Sequence, residues 1–230
     1  AKAAELGIAG DKPGYRSFCR VVARVRSAPD SDIGVEIWLP TERWAGVFHG
    51  NGNGGFAGVL AGGYSGMVDG LRRGFATATT DAGTAPASPL EGEALIDHPR
   101  KWRDWGRLST HVMTITGKAI TKAFYGRDAR RSYYTGCSTG GQQGLIESLY
   151  YPEDYDGILV GAPVINRTWG TPRCSGTMPP RTARRTACST TRSSSCSTGR
   201  RSRRAGGRAM ASRATGLFLI RSAASSTQRF

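Results

Sequence analysis

The last 74 of the 230 residues contain no acid at all. No Asp or Glu follows Asp156, no Lys follows Lys122 and no His follows His111. Any chemistry that needs a carboxylate or an imidazole must therefore draw it from upstream. Long apolar runs are missing too: none approaches the ~18 residues of a membrane-spanning helix, so no spanning helix is expected. The chain opens AKAAELGIAG, without Met or a basic-then-apolar leader, and is expected to be a mature or clipped product. Cysteines are few and odd in number. Cys19 and Cys137 lie early, while Cys174, Cys188 and Cys196 lie late, a distribution that gives no disulfide framework.

The formal charge is +15 over 230 residues, but it is not spread evenly. Residues 1–170 hold 19 Lys and Arg against 17 Asp and Glu, whereas 171–230 hold 13 Arg and no other charged residue type. The second segment also carries 20 Ser and Thr, and its only aromatics are Phe218 and Phe230. Such a composition buries little apolar surface. The expected organisation is a folded core over 1–170 and an Arg/Ser-rich low-complexity segment over 171–230, disordered or produced by a frame slip in a GC-rich gene. Arg without a single Lys favours the slip. A competing reading keeps the segment as a non-specific polyanion-binding tail whose binding would fall steeply with salt. Specific nucleic-acid recognition is not expected, because nothing there supplies a rigid reading element.

Within 1–170, strand and helix patterns alternate. VVARV (Val21 to Val25) and VEIWLP (Val35 to Pro40) flank a turn-rich stretch and predict an antiparallel pair at a sheet edge. GVFHG (Gly46 to Gly50) and GFATATTD (Gly74 to Asp81) are further strands that end in Gly-rich loops. Val112, Ile115, Ala119, Ile120 and Phe124 mark one face of a helix from about Asp104 to Phe124, stopped by Gly126. RSYYTG (Arg131 to Gly136) reads as a strand, STGGQQGLIESLYY as a helix ended by Pro152, and YDGILVGAP (Tyr155 to Pro163) as a buried strand. Alternation of this kind implies a mostly parallel α/β sheet with flanking helices.

Gly136-Cys137-Ser138-Thr139-Gly140 has the form G-x-S-x-G and lies between a predicted strand and a predicted helix. In that setting the turn presents a serine hydroxyl above the sheet, with flanking glycines permitting the sharp bend. Serine attacks an ester carbonyl only with a base to take its proton and donors to hold the oxyanion. The Thr139 N–H is one expected donor. The second is expected from the loop His49-Gly50-Asn51-Gly52-Asn53-Gly54-Gly55, at Asn53 or Gly54, with Phe56 anchoring the loop on the core.

WAGVFHGNGNGGFAG, GFATATTDAG and YYTGCSTGGQQGLIESLYYPEDYDGILVGAP strongly resemble the tannase and feruloyl esterase family, and FCRV and VEIWLP extend the likeness across most of Phe18 to Trp169. The resemblance implies an α/β-hydrolase-like fold, here incomplete because the lid and the C-terminal part of the core are missing. It implies a serine hydrolase of aromatic carboxylic esters, with Ser138 as nucleophile and Cys137 in a disulfide to a cysteine beside the catalytic histidine. It also implies a secreted or periplasmic parent enzyme whose lid binds calcium. No lid is present here, so no cofactor or metal is expected. The resemblance places the family's Asp and His downstream of the lid, in the order Ser, Asp, His, and this sequence has no acid after Asp156 and no His after His111, which predicts little or no activity. A small aromatic ester is the expected partner, with no membrane and an undetermined oligomeric state.

Other polar residues are expected in structural roles. His49, His98 and His111 show no close ligand spacing. Asp81 is expected either to touch substrate or to form an Asx turn with Ala82 and Gly83. Trp102 and Trp105 are expected to pack a helix on the sheet with Arg103 and Asp104 outward. Glu147, Glu153, Asp154 and Asp156 are expected to be solvated or to cap backbone N–H groups.

Overall fold

The computed structural model describes residues 17–165 except 87, together with the backbone of 217–221. The chain divides into a unit of Ala1–Val164 with Thr215–Phe230 and a second unit, Ile165–Ala214, of which only Ile165 is described. Apart from Leu217–Arg221, the Arg/Ser-rich segment and its three cysteines lie outside the described residues.

The strands are β1 (Phe18–Val25), β2 (Ile33–Pro40), β3 (Val47–Asn51), β4 (Ala76–Thr80), β5 (Arg131–Cys137), β6 (Gly157–Gly161) and β7 (Leu217–Arg221). They form one sheet in the order β1-β2-β4-β3-β5-β6-β7. The inner strands β4, β3, β5 and β6 are parallel to one another, while β1, β2 and β7 run antiparallel to their neighbours. The expected antiparallel edge pair is therefore present, with Phe18 opposite Pro40 and Val25 opposite Ile33.

Four helices accompany the sheet: α1 (Tyr64–Arg72), α2 (Pro99–Arg103), α3 (Ser109–Tyr125) and α4 (Thr139–Tyr150). Alternation along the strands shows which face each covers. A Cβ at Gly117 of α3 would strike Phe48 and Ala78, and one at Gly144 of α4 would strike Tyr134, Ile158 and Val160. The neighbouring residues point the other way: Thr77 and Thr79 meet Gly70 of α1 and Gly63 just before it. All of β4 and all of β2 are buried as a result. On β2, Val35, Ile37 and Leu39 join the main core under α3, while Trp38 packs with Phe18, Met67, Val68 and Leu71 under α1. Glu36 shares that second face, fully buried, and accepts hydrogen bonds from Arg20, Trp38 and Tyr64.

The helix predicted from Asp104 is present, but its first turn, Asp104–Leu108, is π-helical and its buried face differs from the expected one. Ile115 and Phe124 are exposed, whereas Val112, Met113, Thr114, Gly117 and Thr121 face inward. Two local facts decide this. Gly117 lets the helix lie directly on Phe48, and the Thr114 hydroxyl bonds both the Thr110 carbonyl and the Tyr155 hydroxyl. Gly126 ends the helix in the left-handed region at φ 69°, a conformation glycine adopts without strain.

Asp104 also departs from expectation. It is fully buried, accepts a bond from the Ser31 hydroxyl and lies 3.4 Å from Arg100, instead of pointing outward. Trp105 is buried against Phe56, while Trp102 stays half exposed. Among the described residues no helix is long and apolar enough to cross a membrane.

Candidate active site

β5 delivers the chain to Ser138 and α4 begins at the next residue. Ser138 has φ 58° and ψ −121°, a conformation that costs a non-glycine residue about 1–3 kcal/mol. Neighbouring backbone holds it there: the Ser138 N–H donates to the Gly161 carbonyl at 3.0 Å, and its own carbonyl accepts from Gln142 at 3.1 Å and Val164 at 3.4 Å. The residue is exposed, and its hydroxyl is not spent capping α4.

The flanking glycines serve a purpose other than the expected one. Neither Gly136 nor Gly140 has positive φ; the strained residue of the turn is Ser138 itself. Gly136 and Gly140 are small because backbone meets backbone. A Cβ on Gly140 would lie 2.8 Å from the Asn53 carbonyl oxygen and 3.1 Å from Gly52 Cα. A Cβ on Gly136 would collide with the Gly140 carbonyl. Gly52, Gly136 and Gly140 thus form a seam along which the Asn51–Gly55 loop rests on the serine turn.

Polar side chains lock the seam. The Tyr134 hydroxyl donates to the Gly140 carbonyl at 2.9 Å and to Gln143 Oε1 at 3.1 Å. Gln143 Nε2 donates to Asn53 Oδ1 at 2.9 Å, and Gln143 Oε1 accepts a long bond of 3.4 Å from the Asn53 N–H. Asn51 and Asn53 reach across to β4, donating from their amides to the carbonyls of Ala78 at 3.2 Å and Thr80 at 2.9 Å. Their side chains are structural, so Asn53 and Gly54 have only backbone to offer a ligand. Gly54 stands at the open rim, where an added Cβ would meet nothing within 4 Å.

Phe56 anchors the loop as expected, stacked on Trp105 at 5.4 Å above a cluster of Ala57, Ala82 and Leu95. Thr84 donates to the carbonyls of Phe56 and Asp81, tying the loop to the turn after β4. That turn takes the Asx form: Asp81 Oδ1 accepts from the Gly83 N–H and the Gly34 N–H, both at 2.8 Å. Asp81 is 2% exposed, and burial pushes its carboxyl upward.

A cleft of about 460 Å³ opens beside the turn, lined by Asn53, Gly54, Ser65, Gly136, Cys137 and Leu159, among others. Of the residues singled out by sequence, Cys137, Asn53 and Gly54 line this cleft, while Ser138 and Thr139 follow directly on Cys137 at the C-terminal edge of the parallel strands, where open α/β sheets bind ligands, without being among the lining residues. Cys137 is exposed, and both it and Cys19 are free thiols.

The histidines stand elsewhere. His49 belongs to β3 rather than to the loop, and bonds Thr135 at 3.0 Å. Burial, followed by the charge of Arg73, lowers its pKa to about 4. His111 Nδ1 is paired with Asp154 at 2.6 Å. Of the four acids expected to be solvated or capping, Asp156 does accept the Ser132 N–H, but Glu147 and Asp154 are buried. The locking residues Tyr134 and Gln143 were not singled out by sequence. A polar residue between Gly140 and Gly144, on the face where α4 has no bulk, was the available signal for Gln143.

A family model described as tannase and feruloyl esterase matches residues 19–183. The chain belongs to the tannase and feruloyl esterase family. It is 39% identical over 153 residues to a probable feruloyl esterase B-2 of Aspergillus flavus, covering 65% of this chain and 27% of that protein. It is 37% identical over 167 residues to a probable feruloyl esterase B-1 of Aspergillus fumigatus, covering 71% and 30%. The crystal structure of feruloyl esterase B from Aspergillus oryzae superposes with a TM-score of 0.59 at 36% identity, over 64% of this chain and 28% of that one. The fold is thus the α/β-hydrolase core of esterases, and the chain spans under a third of the length of the relatives it matches.

Proposed function

We propose that this chain carries the nucleophilic half of a serine carboxylic ester hydrolase for esters of aromatic acids, of the feruloyl or galloyl type. The observation that carries this reading is Ser138 at φ 58° between β5 and α4, with the Asn51–Gly55 loop pressed against its turn. In the proposed reaction the Ser138 Oγ attacks the ester carbonyl and loses its proton to a base. The carbonyl oxygen becomes an oxyanion, held by the Thr139 N–H and a second N–H from the Asn53–Gly54 step; Gly54 suits this role better, since the Asn53 N–H is directed at Gln143 Oε1 at 3.4 Å. Collapse expels the alcohol and leaves an acyl-enzyme, which water then hydrolyses. The cleft is within the size range of small-molecule sites, and its glycine-rich lining leaves room for a flat aromatic acyl group.

The family resemblance implies a base and a carboxylate partner downstream of a lid, and after Asp156 this sequence holds no acid and after His111 no His. His111 is committed to Asp154. The proposal therefore includes a chain with little or no turnover, in which the oxyanion donors leave only a residual rate. A secreted or periplasmic parent, with Cys137 joined to a cysteine near the histidine, fits the same reading.

The test uses the full chain with an ethyl hydroxycinnamate ester and, separately, a fluorophosphonate probe read by mass spectrometry. Slow labelling confined to Ser138, lost in Ser138→Ala, with ester turnover near the uncatalysed rate, is the expected result. Labelling elsewhere, or equal labelling of the variant, refutes the nucleophile. Rapid turnover that disappears in Ser138→Ala refutes the inactivity and keeps the nucleophile.

A further inference from the structure

Away from the serine turn, three side chains from three elements converge: His111 near the start of α3, Glu147 in α4 and Asp154 in the loop before β6. One ligand-type atom from each lies within 4.8 Å of the others. Glu147 is fully buried, and neither of its carboxylate oxygens has a hydrogen-bond partner. A buried carboxylate normally carries a paired charge or several donors, because desolvation of an unpaired one costs several kcal/mol. The charge of Lys118 acts on Glu147 from nearby, but its ammonium donates to the backbone carbonyl of Asp154 and lies over the Tyr155 ring, so it gives the Glu147 oxygens no hydrogen bond. Burial and the adjacent Asp154 both push the Glu147 carboxyl upward, as expected for a group short of positive charge.

We propose that His111, Glu147 and Asp154 form a binding site for a divalent transition-metal cation of the zinc or manganese class. One imidazole nitrogen with two carboxylates suits these ions and is poor for calcium, which takes oxygen ligands. The required adjustment is small. His111 Nδ1 and Asp154 Oδ2 are 2.6 Å apart as a hydrogen-bonded pair, and ligands of a tetrahedral ion at ordinary bond lengths stand about 3.3 Å apart. Binding would exchange the proton of that pair for the cation and release it to solvent. The His111 ring is already oriented, stacked on Tyr151 at 3.9 Å and 12°.

Glu147 lies nine residues beyond Ser138, or about 13 Å along the helix axis, so the ion would take no part at the serine. It would pin α4, which carries the serine turn, to α3 and to the approach to β6.

The experiment is a titration of chelator-stripped full-length chain with Co²⁺, followed by visible ligand-field absorption and thermal unfolding. The proposal expects saturation at one equivalent with a raised Tm, and loss of affinity by more than about ten-fold in both Glu147→Gln and His111→Gln. The exposed neighbour variant Glu153→Gln should bind as the parent does, and excess Ca²⁺ should leave the absorption in place. Glu147→Gln keeps the shape of a buried carboxyl whose ionised form is disfavoured, so it should unfold at or above the parent temperature without metal, which shows that its lost affinity is not misfolding. No saturable binding by the parent overturns the proposal. So does binding that survives both substitutions with an intense thiolate charge-transfer band, which would assign the metal to cysteines. Displacement by Ca²⁺ overturns it too.

Discussion

Gly52→Ala tests whether the oxyanion loop and the serine turn are joined by close backbone contact. The added Cβ would overlap the Tyr134 hydroxyl and stand 2.7 Å from Gly140 Cα and 3.1 Å from Gly136 Cα. Two of these neighbours are main chain and cannot rotate away. The third is a fully buried tyrosine that holds the Gly140 carbonyl and Gln143. Relief requires the loop to lift or the tyrosine to give up its bonds. Overpacking of this kind costs about 1–3 kcal/mol, and a buried hydroxyl left without a partner adds about 1 kcal/mol, so a loss of about 2–4 kcal/mol is expected. Gly54→Ala is the internal control: it sits two residues along the loop, at ordinary φ, with nothing within 4 Å of the new methyl. Its effect should stay within about 0.5 kcal/mol. Urea unfolding followed by tryptophan fluorescence reads both, through the midpoint at unchanged slope. Equal midpoints for Gly52→Ala and the parent, or equal losses in the two variants, would refute the seam.

Two further outcomes follow from buried charge. His49 titrates near 6.5 when unfolded and at about 4 when folded, so above pH 6.5 it is neutral in both states and costs nothing. As pH falls from 6.5 to 4 only the unfolded chain gains that proton, and the parent should lose up to about 3 kcal/mol relative to His49→Gln, measured by urea unfolding at each pH; parallel curves would refute it. Arg20→Met should cost about 3 kcal/mol at pH 7, because it strips the ion pair from fully buried Glu36. Burial raises the Glu36 carboxyl, but the bonds from Arg20, Trp38 and Tyr64 outweigh it and hold it below the usual range. Parent and variant should therefore converge as pH falls through that depressed value, and a gap independent of pH would show that the loss is packing of the arginine stem.

Strands β1 to β6 and the serine turn were legible because their signals are local, whereas β7 falls in the stretch whose composition read as low-complexity. VVARV and VEIWLP are rich in β-branched and apolar residues on either side of a turn-rich stretch, GILVG is continuously apolar between turn residues, and G-x-S-x-G lies at a strand-to-helix junction. The inward face of α3 was not, since it is set by Gly117 against Phe48 and by Thr114 against Tyr155, contacts with elements far away in sequence. An apolar stripe drawn through Ile115 and Phe124 scores those residues as core because it counts hydrophobicity and ignores how closely a glycine lets the helix approach. The acids misled for a related reason. Asp104 meets Ser31 across 73 positions, and the acids Glu147 and Asp154, close in sequence, are buried by convergence with His111 of α3, so the partner that decides each environment lies outside a local window.

The strain at Ser138 and the lock on the loop have separate supports, and the separation matters for chemistry. The turn is held by the carbonyl of Gly161 and the N–H groups of Gln142 and Val164, the loop by Tyr134, Gln143 and the amides of Asn51 and Asn53. None of these groups is an acid or a base in the reaction. Positioning of Ser138, and of the backbone donors proposed for the oxyanion, is thus a property of the sheet and α4 and needs no proton acceptor. A chain without that acceptor should keep the geometry and lose the rate, and supplying a base on a small molecule addresses the remaining deficit directly. Imidazole at high concentration should speed fluorophosphonate labelling of Ser138 in the parent and leave Gly52→Ala less responsive, because lifting the loop displaces the donors that the adduct oxygen needs. Equal acceleration in both would place the labelled oxygen outside the donor pair and would break the link between the glycine seam and the oxyanion hole.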